Sequence, residues 1–391
     1  LSILDQIENR SLTNSVKWDR MAEIYQLEDP NDILPMWIAD MDFAAPAVLI
    51  DAFKKRLEHP VFGYTFEDAE GTQAFVDWAK KRHGFTIDPS WILYQQGVVP
   101  AIAAVVETFT KENEAVIITP PIYPPFFNVP KNLNRTVKEC PLDEVDGVYS
   151  FDFEKFDNMT QQEDVKLFIL CHPHNPGGFE WSIETLQEIT RICEKNDVLI
   201  LSDEIHADLI LDGRKHTPLA QVAGDAKNRI ITCMAPTKTF NIAGIQVAMM
   251  IVSDEELRAR LREHMVKHAQ MSLNIFAGVA LKALYSKEGE EWLEQLLPYI
   301  SENMDLAISR LTEIEGIHIY KPNATYLLWI DYRKTGKTEE EIMDLLLTKG
   351  RLALEPGSKY GEQGKGFLRM NVSCPRSLVE EGIKRFTHAL T

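Results

Sequence analysis

At 391 residues, 45% hydrophobic and 26% charged, the chain is long enough for two domains sharing an interface, which excludes a small stapled module. Its 41 Lys plus Arg against 59 Asp plus Glu leave a formal net charge of -18, which disfavours non-specific attraction to nucleic acid or to anionic membranes. No apolar run approaches the length that spans a bilayer, so a soluble protein is expected.

The chain opens on "LSILDQIENR", which lacks the basic start and apolar stretch of a signal peptide; its first residue is not Met, which leaves room for residues upstream. The five cysteines, Cys140, Cys171, Cys193, Cys233 and Cys374, are scattered and form no CxxC pair, as suits reduced thiols in the cytoplasm.

Further on, "YQQGVVPAIAAVVETF" predicts a strand ending near Gly97 and an Ala/Val-rich helix with Pro100 in its first turn. Such a helix start offers free N–H groups to an anion, or it is a plain tight turn. "AVIIT" (115–119) predicts a buried strand, followed by "TPPIYPPF", whose prolines hold Tyr123 either for stacking on a flat ring or for ordinary packing. "VKLFIL" (165–170) is a further strand and leads into "CHPHNPGG". That cluster does not have the spacing of a zinc motif; Asn175, in a Pro/Gly turn, is the better candidate for a ligand hydrogen bond.

"SIETLQEITRICEKN" places Ile183, Leu186, Ile189, Ile192 and Cys193 at helical spacing behind Ser182, a suitable N-cap. The strand "VLILS" (198–202) runs into "LSDEIHADL", where Asp203 either caps a helix or, at the end of a buried strand, needs a cation or several donors to pair with. "IITCM", ending at Met234, predicts a strand that delivers "APTKTFNIAG" and with it Lys238 to the sheet's carboxyl edge, where open α/β sheets bind ligands, or else Lys238 is a solvated loop lysine. "VAMMIVS" (247–253) is the next strand, and "HMVKH" (264–268) lacks the glutamate of a zinc-protease helix and reads as a solvated face.

After about residue 285 longer charged helices alternate with the strand-like "TYLLWIDY" and "GFLRMNVS", which predicts a smaller α+β domain. The expected division is a large domain over 46–284 and a small one made of 1–45 with 285–391. Alternation in "FLRMNVS" puts Arg369 on one strand face with Phe367, Asn371 and Ser373, as a solvent-facing edge arginine or as a bidentate carboxylate site.

A glycine turn, an aromatic, an asparagine, an aspartate and a lysine, in that order and all at strand ends, resemble the fold type I pyridoxal-phosphate (PLP) enzymes of the class I/II aminotransferase superfamily over nearly the whole chain. Within it, "NSVKWDR", "LPMWIADMDF", "FGYT", "SDEIHADL" and "APTKTFNIAG" are similar to the PatB/MalY-type cystathionine β-lyases, a family of C–S lyases. The resemblance implies an α/β fold with a mostly parallel seven-stranded sheet, PLP as cofactor, no metal, and a homodimer.

It also implies roles. Lys238 bonds the cofactor and moves the substrate's Cα proton, Asp203 faces the ring nitrogen, Asn175 bonds the ring hydroxyl, Tyr123 stacks on the ring, and His206 belongs to the cofactor shell. Gly97, Val98, Thr237 and Tyr64 of the neighbouring subunit hold the phosphate. Arg369 takes the substrate's α-carboxylate, helped by the Ala39 region, with Asn175 and Tyr64 also at the substrate; Asp40 and Asp42 are structural or pocket-lining. Ala235 and Gln246 replace a serine and an arginine found in many aminotransferases, which implies a weaker cation around the phosphate. The implied reaction is α,β-elimination from cystathionine or a related cysteine S-conjugate to a thiol, pyruvate and ammonia. An aminotransferase, or a regulatory protein using the same fold to bind a partner, are the alternatives.

Overall fold

A computed structural model of the chain describes residues 2–29 and 31–391. Seven strands make the main sheet: β1 (Ile92–Gln95), β2 (Ala115–Ile118), β3 (Thr136–Glu139), β4 (Val165–Cys171), β5 (Leu199–Asp203), β6 (Ile230–Met234) and β7 (Ala248–Val252). Their spatial order is β1-β7-β6-β5-β4-β2-β3. The apolar runs are continuous because both faces are covered. Val116, Ile118, Leu167 and Ile169 pack with the helix α1 (Val98–Phe109), while the alternate residues Ala115, Ile117, Phe168 and Leu170 pack with α2 (Ile183–Lys195) on the other side.

The side chain of Ser182 caps α2 by accepting the Thr185 N–H, and Leu186, Ile189, Ile192 and Cys193 are buried as their spacing predicts. Ile183 differs: at the first helical position it is exposed.

The sheet is not parallel throughout, because β7 runs antiparallel to both β6 and β1. Between β6 and β7 the chain forms only a helical turn, Pro236–Thr239, and a 3-10 turn, Ala243–Ile245. Without a long crossover helix the chain turns back beside the strand it has left. Lys238 sits in that reversal.

"TYLLWIDY" and "GFLRMNVS" become β9 (Leu327–Asp331) and β11 (Phe367–Asn371) of a four-stranded antiparallel sheet, completed by β8 (His318–Ile319) and β10 (Glu355–Pro356) in the order β8-β9-β11-β10. α3 (Lys287–Leu311) and α4 (Arg376–Leu390) contribute to the core shared with this sheet. The amino-terminal segment joins the same region: Leu34–Pro35 pairs in parallel with Leu352–Ala353, and the Asn371 N–H donates to the Met36 carbonyl at 2.9 Å. No helix among the described residues is long and apolar enough to cross a membrane, and all five cysteines are buried free thiols.

An ionic clip holds the segment. Asp42, buried, accepts from Lys17 Nζ at 2.6 Å, Arg10 Nη1 at 2.8 Å and Trp18 Nε1 at 2.9 Å, and Arg10 Nη2 reaches Asp40 at 2.7 Å. The motifs "NSVKWDR" and "WIADMDF" are thus two halves of one contact, and Asp42 is structural. Lys17 is only 1% exposed, so removing it leaves a buried carboxylate short of its nearest cation. Lys17→Met is expected to cost about 3 kcal/mol in urea unfolding; a loss below about 0.5 kcal/mol would mean that Arg10 and Trp18 suffice. Burial pushes the Asp42 carboxyl up, but Lys17, Trp18 and Arg10 outweigh it and hold it below its ordinary 3.8. Its stabilisation therefore holds above about that pH and is lost as the pH falls further.

Candidate active site

The carboxyl ends of β4, β5 and β6 open toward β11 and the amino-terminal segment, and the buried polar residues gather there. Lys238 follows β6 and donates its Nζ to the Ala39 carbonyl, which also accepts the Tyr326 hydroxyl at 3.0 Å. Asn371 fixes that segment by donating Nδ2 to the carbonyls of Ile38 at 2.7 Å and Asp40 at 2.6 Å. Burial of the Lys238 amine, with the positive charge of Arg369, lowers its pKa to about 8 against the opposing pull of Asp40 and Asp203. That leaves a minority of this amine neutral and nucleophilic at pH 7, far more than its ordinary 10.5 would leave, and the fraction grows as the pH rises toward 8.

Asp203 ends β5, 4% exposed. One of its oxygens accepts the Ile205 N–H at 3.1 Å, and no cation pairs with it among the described residues. Burial, with the neighbouring charge of Glu204, raises it to about 7 despite that hydrogen bond and Lys238. Glu204 itself is compensated: His216 Nε2 meets it at 2.7 Å, and Nδ1 of the same ring meets Glu180 at 3.0 Å. Burial opposes a charge on His216, but the two carboxylates outweigh it and raise it to about 9. Of the Asp203–Glu204 pair, only Asp203 is left for a ligand.

Arg369 is 3% exposed on β11, between β9 and β10, which rules out the edge-strand reading. Nη1 donates to Asn175 Oδ1 at 3.1 Å, and Nη2 to the Trp37 carbonyl at 3.0 Å and Glu355 Oε2 at 2.5 Å. Nε is buried without a partner. His206, 3% exposed, lies with its ring 6.0 Å from that of Tyr326 and its Nδ1 unpartnered. Burial, with Lys238 and Arg369 nearby, lowers it to about 3 and keeps the imidazole neutral. Burial and the charge of Asp203 push the Tyr123 hydroxyl up to about 12, with Arg369 and Glu355 also in its field, which sets this half-buried residue between the two ends of the site.

Gly97 precedes α1, whose amino terminus has no side-chain cap, so its first N–H groups are open to an anion. A Cβ at Gly97 would meet nothing nearer than the Pro100 ring at 3.5 Å, so the space above the helix start is open. Val98 and Thr237 are buried beside the ends of β1 and β6. Tyr64 is fully exposed and lies outside its own chain's pocket, in a segment where Val61, Phe62 and Phe66 are exposed as well.

Several features escaped the sequence reading. Glu355, Tyr360, Tyr326 and Trp37 line the site, and the only hint was a glutamate interrupting the apolar "LALEP". In "CHPHNPGG", His172 bonds the Thr217 carbonyl at 2.9 Å while the His174 ring stacks on Phe179 with centroids 4.6 Å apart. "HMVKH" finds a glutamate from another helix, since His264 Nε2 meets Glu107 Oε2 at 3.0 Å. Acetylation of Lys238 in the cofactor-free protein, followed by mass spectrometry, is expected to rise with pH through a midpoint near 8; a midpoint near the ordinary 10.5 would contradict the burial of its amine.

The aminotransferase class I and II model matches residues 32–386. The cystathionine beta-lyase PatB of Bacillus subtilis is 41% identical over 388 residues, covering 99% of both chains. Among solved structures, a PLP-bound protein of Clostridium difficile described as an aminotransferase superposes with a TM-score of 0.96 at 41% identity over 99% of both chains. Cystalysin of Treponema denticola, which contains a pyridoxal 5'-phosphate cofactor, superposes with a TM-score of 0.95 at 34% identity over 99% of this chain and 98% of its own. By the match along its whole length and by its fold type I architecture, the chain belongs to the aminotransferase class I and II family.

Proposed function

We propose that the chain is a PLP-dependent carbon–sulfur β-lyase that cleaves L-cystathionine or related cysteine S-conjugates to a thiol, pyruvate and ammonia. The observation that carries the reading is the buried Asp203 carboxylate, left without a cation in the same site as a lysine of lowered pKa. Such a carboxylate fits a protonated ring nitrogen. The 41% identity to a cystathionine beta-lyase over 99% of both chains supports the choice of reaction.

When bound, PLP supplies an electron sink for the charge left at the substrate's Cα. Lys238 would bond its aldehyde carbon, Asp203 would pair with the ring nitrogen and Asn175 with the ring hydroxyl, and Tyr123 and His206 would enclose the ring. The N–H groups of Gly97 and Val98 and the Thr237 hydroxyl would hold the phosphate. Arg369 offers its unpartnered Nε to the α-carboxylate. With the substrate so oriented and its own amine in the place of Lys238, the freed Nζ would take the Cα proton, and the C–S bond to Cβ would break as the thiolate leaves.

On this reading residues 46–284 form the cofactor-holding unit, and 1–45 with 285–391 the smaller unit that brings Ala39 and Arg369 to it. Tyr64, exposed among other exposed apolar side chains, is delivered to the partner's site in a homodimer. Five buried free thiols suit the cytoplasm.

An aminotransferase would use the same residues and differ in where the proton is returned. Cofactor-loaded protein given L-cystathionine is expected to release thiol and pyruvate in equal amounts; glutamate formed from 2-oxoglutarate and an amino acid, without thiol, would transfer the reading to transamination. Lys238→Ala is expected to lower pyruvate production at least about a thousandfold, and retained turnover would overturn the lysine's role. Tyr64→Ala and Lys238→Ala chains, each impaired alone, are expected to regain activity when co-expressed, since a mixed dimer holds one complete site; no regain would remove Tyr64 from the shared site.

A further inference from the structure

Lys238 rides on a single helical turn, Pro236–Thr239, whose amino end has no side-chain cap. One turn does little to hold itself, since ordering it gains few hydrogen bonds of its own. The lysine cannot supply the anchor either: its Nζ rests on the Ala39 carbonyl, and on the proposed reading that amine is the group that reacts. The flanking residues must hold the backbone while the amine changes partners.

On one flank Asn241 is laced to the amino-terminal segment: its Oδ1 accepts the Met41 N–H at 3.0 Å, and its Nδ2 donates to the carbonyls of Met41 and Phe43, each at 2.9 Å. Nearer the lysine, the buried Thr239 hydroxyl donates to Asp208 Oδ2 at 2.8 Å. Oδ1 of the same carboxylate is filled separately, by Trp78 Nε1 at 2.9 Å, with His83 Nε2 at 2.9 Å and Arg82 Nε at 3.4 Å. Burial pushes the Asp208 carboxyl up, but His83, Arg82 and Trp78 outweigh it and lower it to about 2, so Thr239 meets an ionised acceptor. Trp78 also packs edge-on against Phe240, the residue after Thr239, with ring centroids 5.8 Å apart. Asp208 lies in the segment that leaves Asp203 through tight turns, where the Ala207 N–H donates to the Glu204 carbonyl at 3.0 Å and the Leu209 N–H to that of His206 at 2.9 Å. The Thr239–Asp208 bond thus braces the segment carrying the uncompensated carboxylate directly against the turn carrying the amine.

We propose that Asp208 is a positioning residue for Lys238: through the Thr239 hydroxyl it fixes the lysine's turn against the Asp203 segment, and so sets where the reacting amine stands relative to Asp203. The inference rests on the reading that Lys238 moves the substrate's Cα proton. Asp208 itself touches neither the amine nor Asp203; it acts by holding the backbone between them.

The hydroxyl is the end to remove, because Asp208 then keeps its other donors. Wild-type, Thr239→Val and Thr239→Ser chains are compared by thermal unfolding, by the pH midpoint of Lys238 acetylation in the cofactor-free chain, and by kcat and KM for pyruvate release from L-cystathionine by the loaded protein. In Thr239→Val the midpoint is expected to rise from near 8 toward the ordinary 10.5 as the amine leaves its buried place. Its kcat is expected to fall at least about tenfold with KM changed by less than about twofold. Thr239→Ser, which keeps the hydroxyl, should restore both. Arg369, Asp40 and Asp203, which also act on the amine, are the same in all three chains. A valine chain that melts earlier yet keeps the wild-type midpoint and kcat would reduce the bond to core packing and overturn the proposal, as would a serine chain that behaves like the valine one. Should the valine chain not fold, Thr239→Ala is read by the same criteria. Because the midpoint needs neither cofactor nor substrate, a wild type that forms glutamate without thiol would sink the lyase reading and leave the anchor standing.

Discussion

A carboxylate buried without a cation costs several kcal/mol, and the end of β5 carries one. Asp203 retains a single backbone hydrogen bond, while Glu204, the next residue, is tied to His216 and to the Leu219 N–H. The site is organised around that difference. One carboxylate is neutralised within the fold; the other has no cation paired with it among the described residues. Lys238 and Arg369 lie near enough to be felt by the surrounding groups without forming an ion pair with it, so Asp203 stays uncommitted.

The rest of the architecture brings distant segments to that point. Ala39 reaches it because the preceding chain is clipped by Asp42, Lys17, Arg10 and Trp18 and laced to β11 through Asn371. Arg369 reaches it because β11 is an inner strand, paired on both sides, with its guanidinium fixed by groups from three segments: Asn175, Trp37 and Glu355. A guanidinium so restrained loses little freedom on meeting a carboxylate. The reversal of β7 has a similar consequence. A short connection folds back at the sheet's carboxyl edge and keeps Lys238 on a tight turn, not on a long helix that would carry it away.

Much of this was legible in the chain. The apolar strands, the Ser182 cap, the uncapped helix start after Gly97 and the placing of Asp203, Asn175 and Lys238 at strand ends all follow from local pattern. The direction of β7 did not, because an apolar run reads the same in either direction. Glu355 did not either. A glutamate before a proline looks like a turn residue until register sets it against an arginine in another strand. Nor did Asp42, whose partners Lys17 and Trp18 lie well upstream and whose burial depends on packing of the whole segment.

By itself the sequence determined which residues carry charge, nucleophilicity or backbone freedom, and where strands and helices put them along the chain, because these depend on periodicity and on neighbours a few positions away. Only the tertiary structure decided which charges are satisfied and which remain open. Compensation depends on distances between segments that are remote in sequence, as between Arg369 and Asn175 or between Glu204 and His216. It is that tally of buried charge, with Asp203 left over and Arg369 partly filled by Glu355, that gives the site its chemical character.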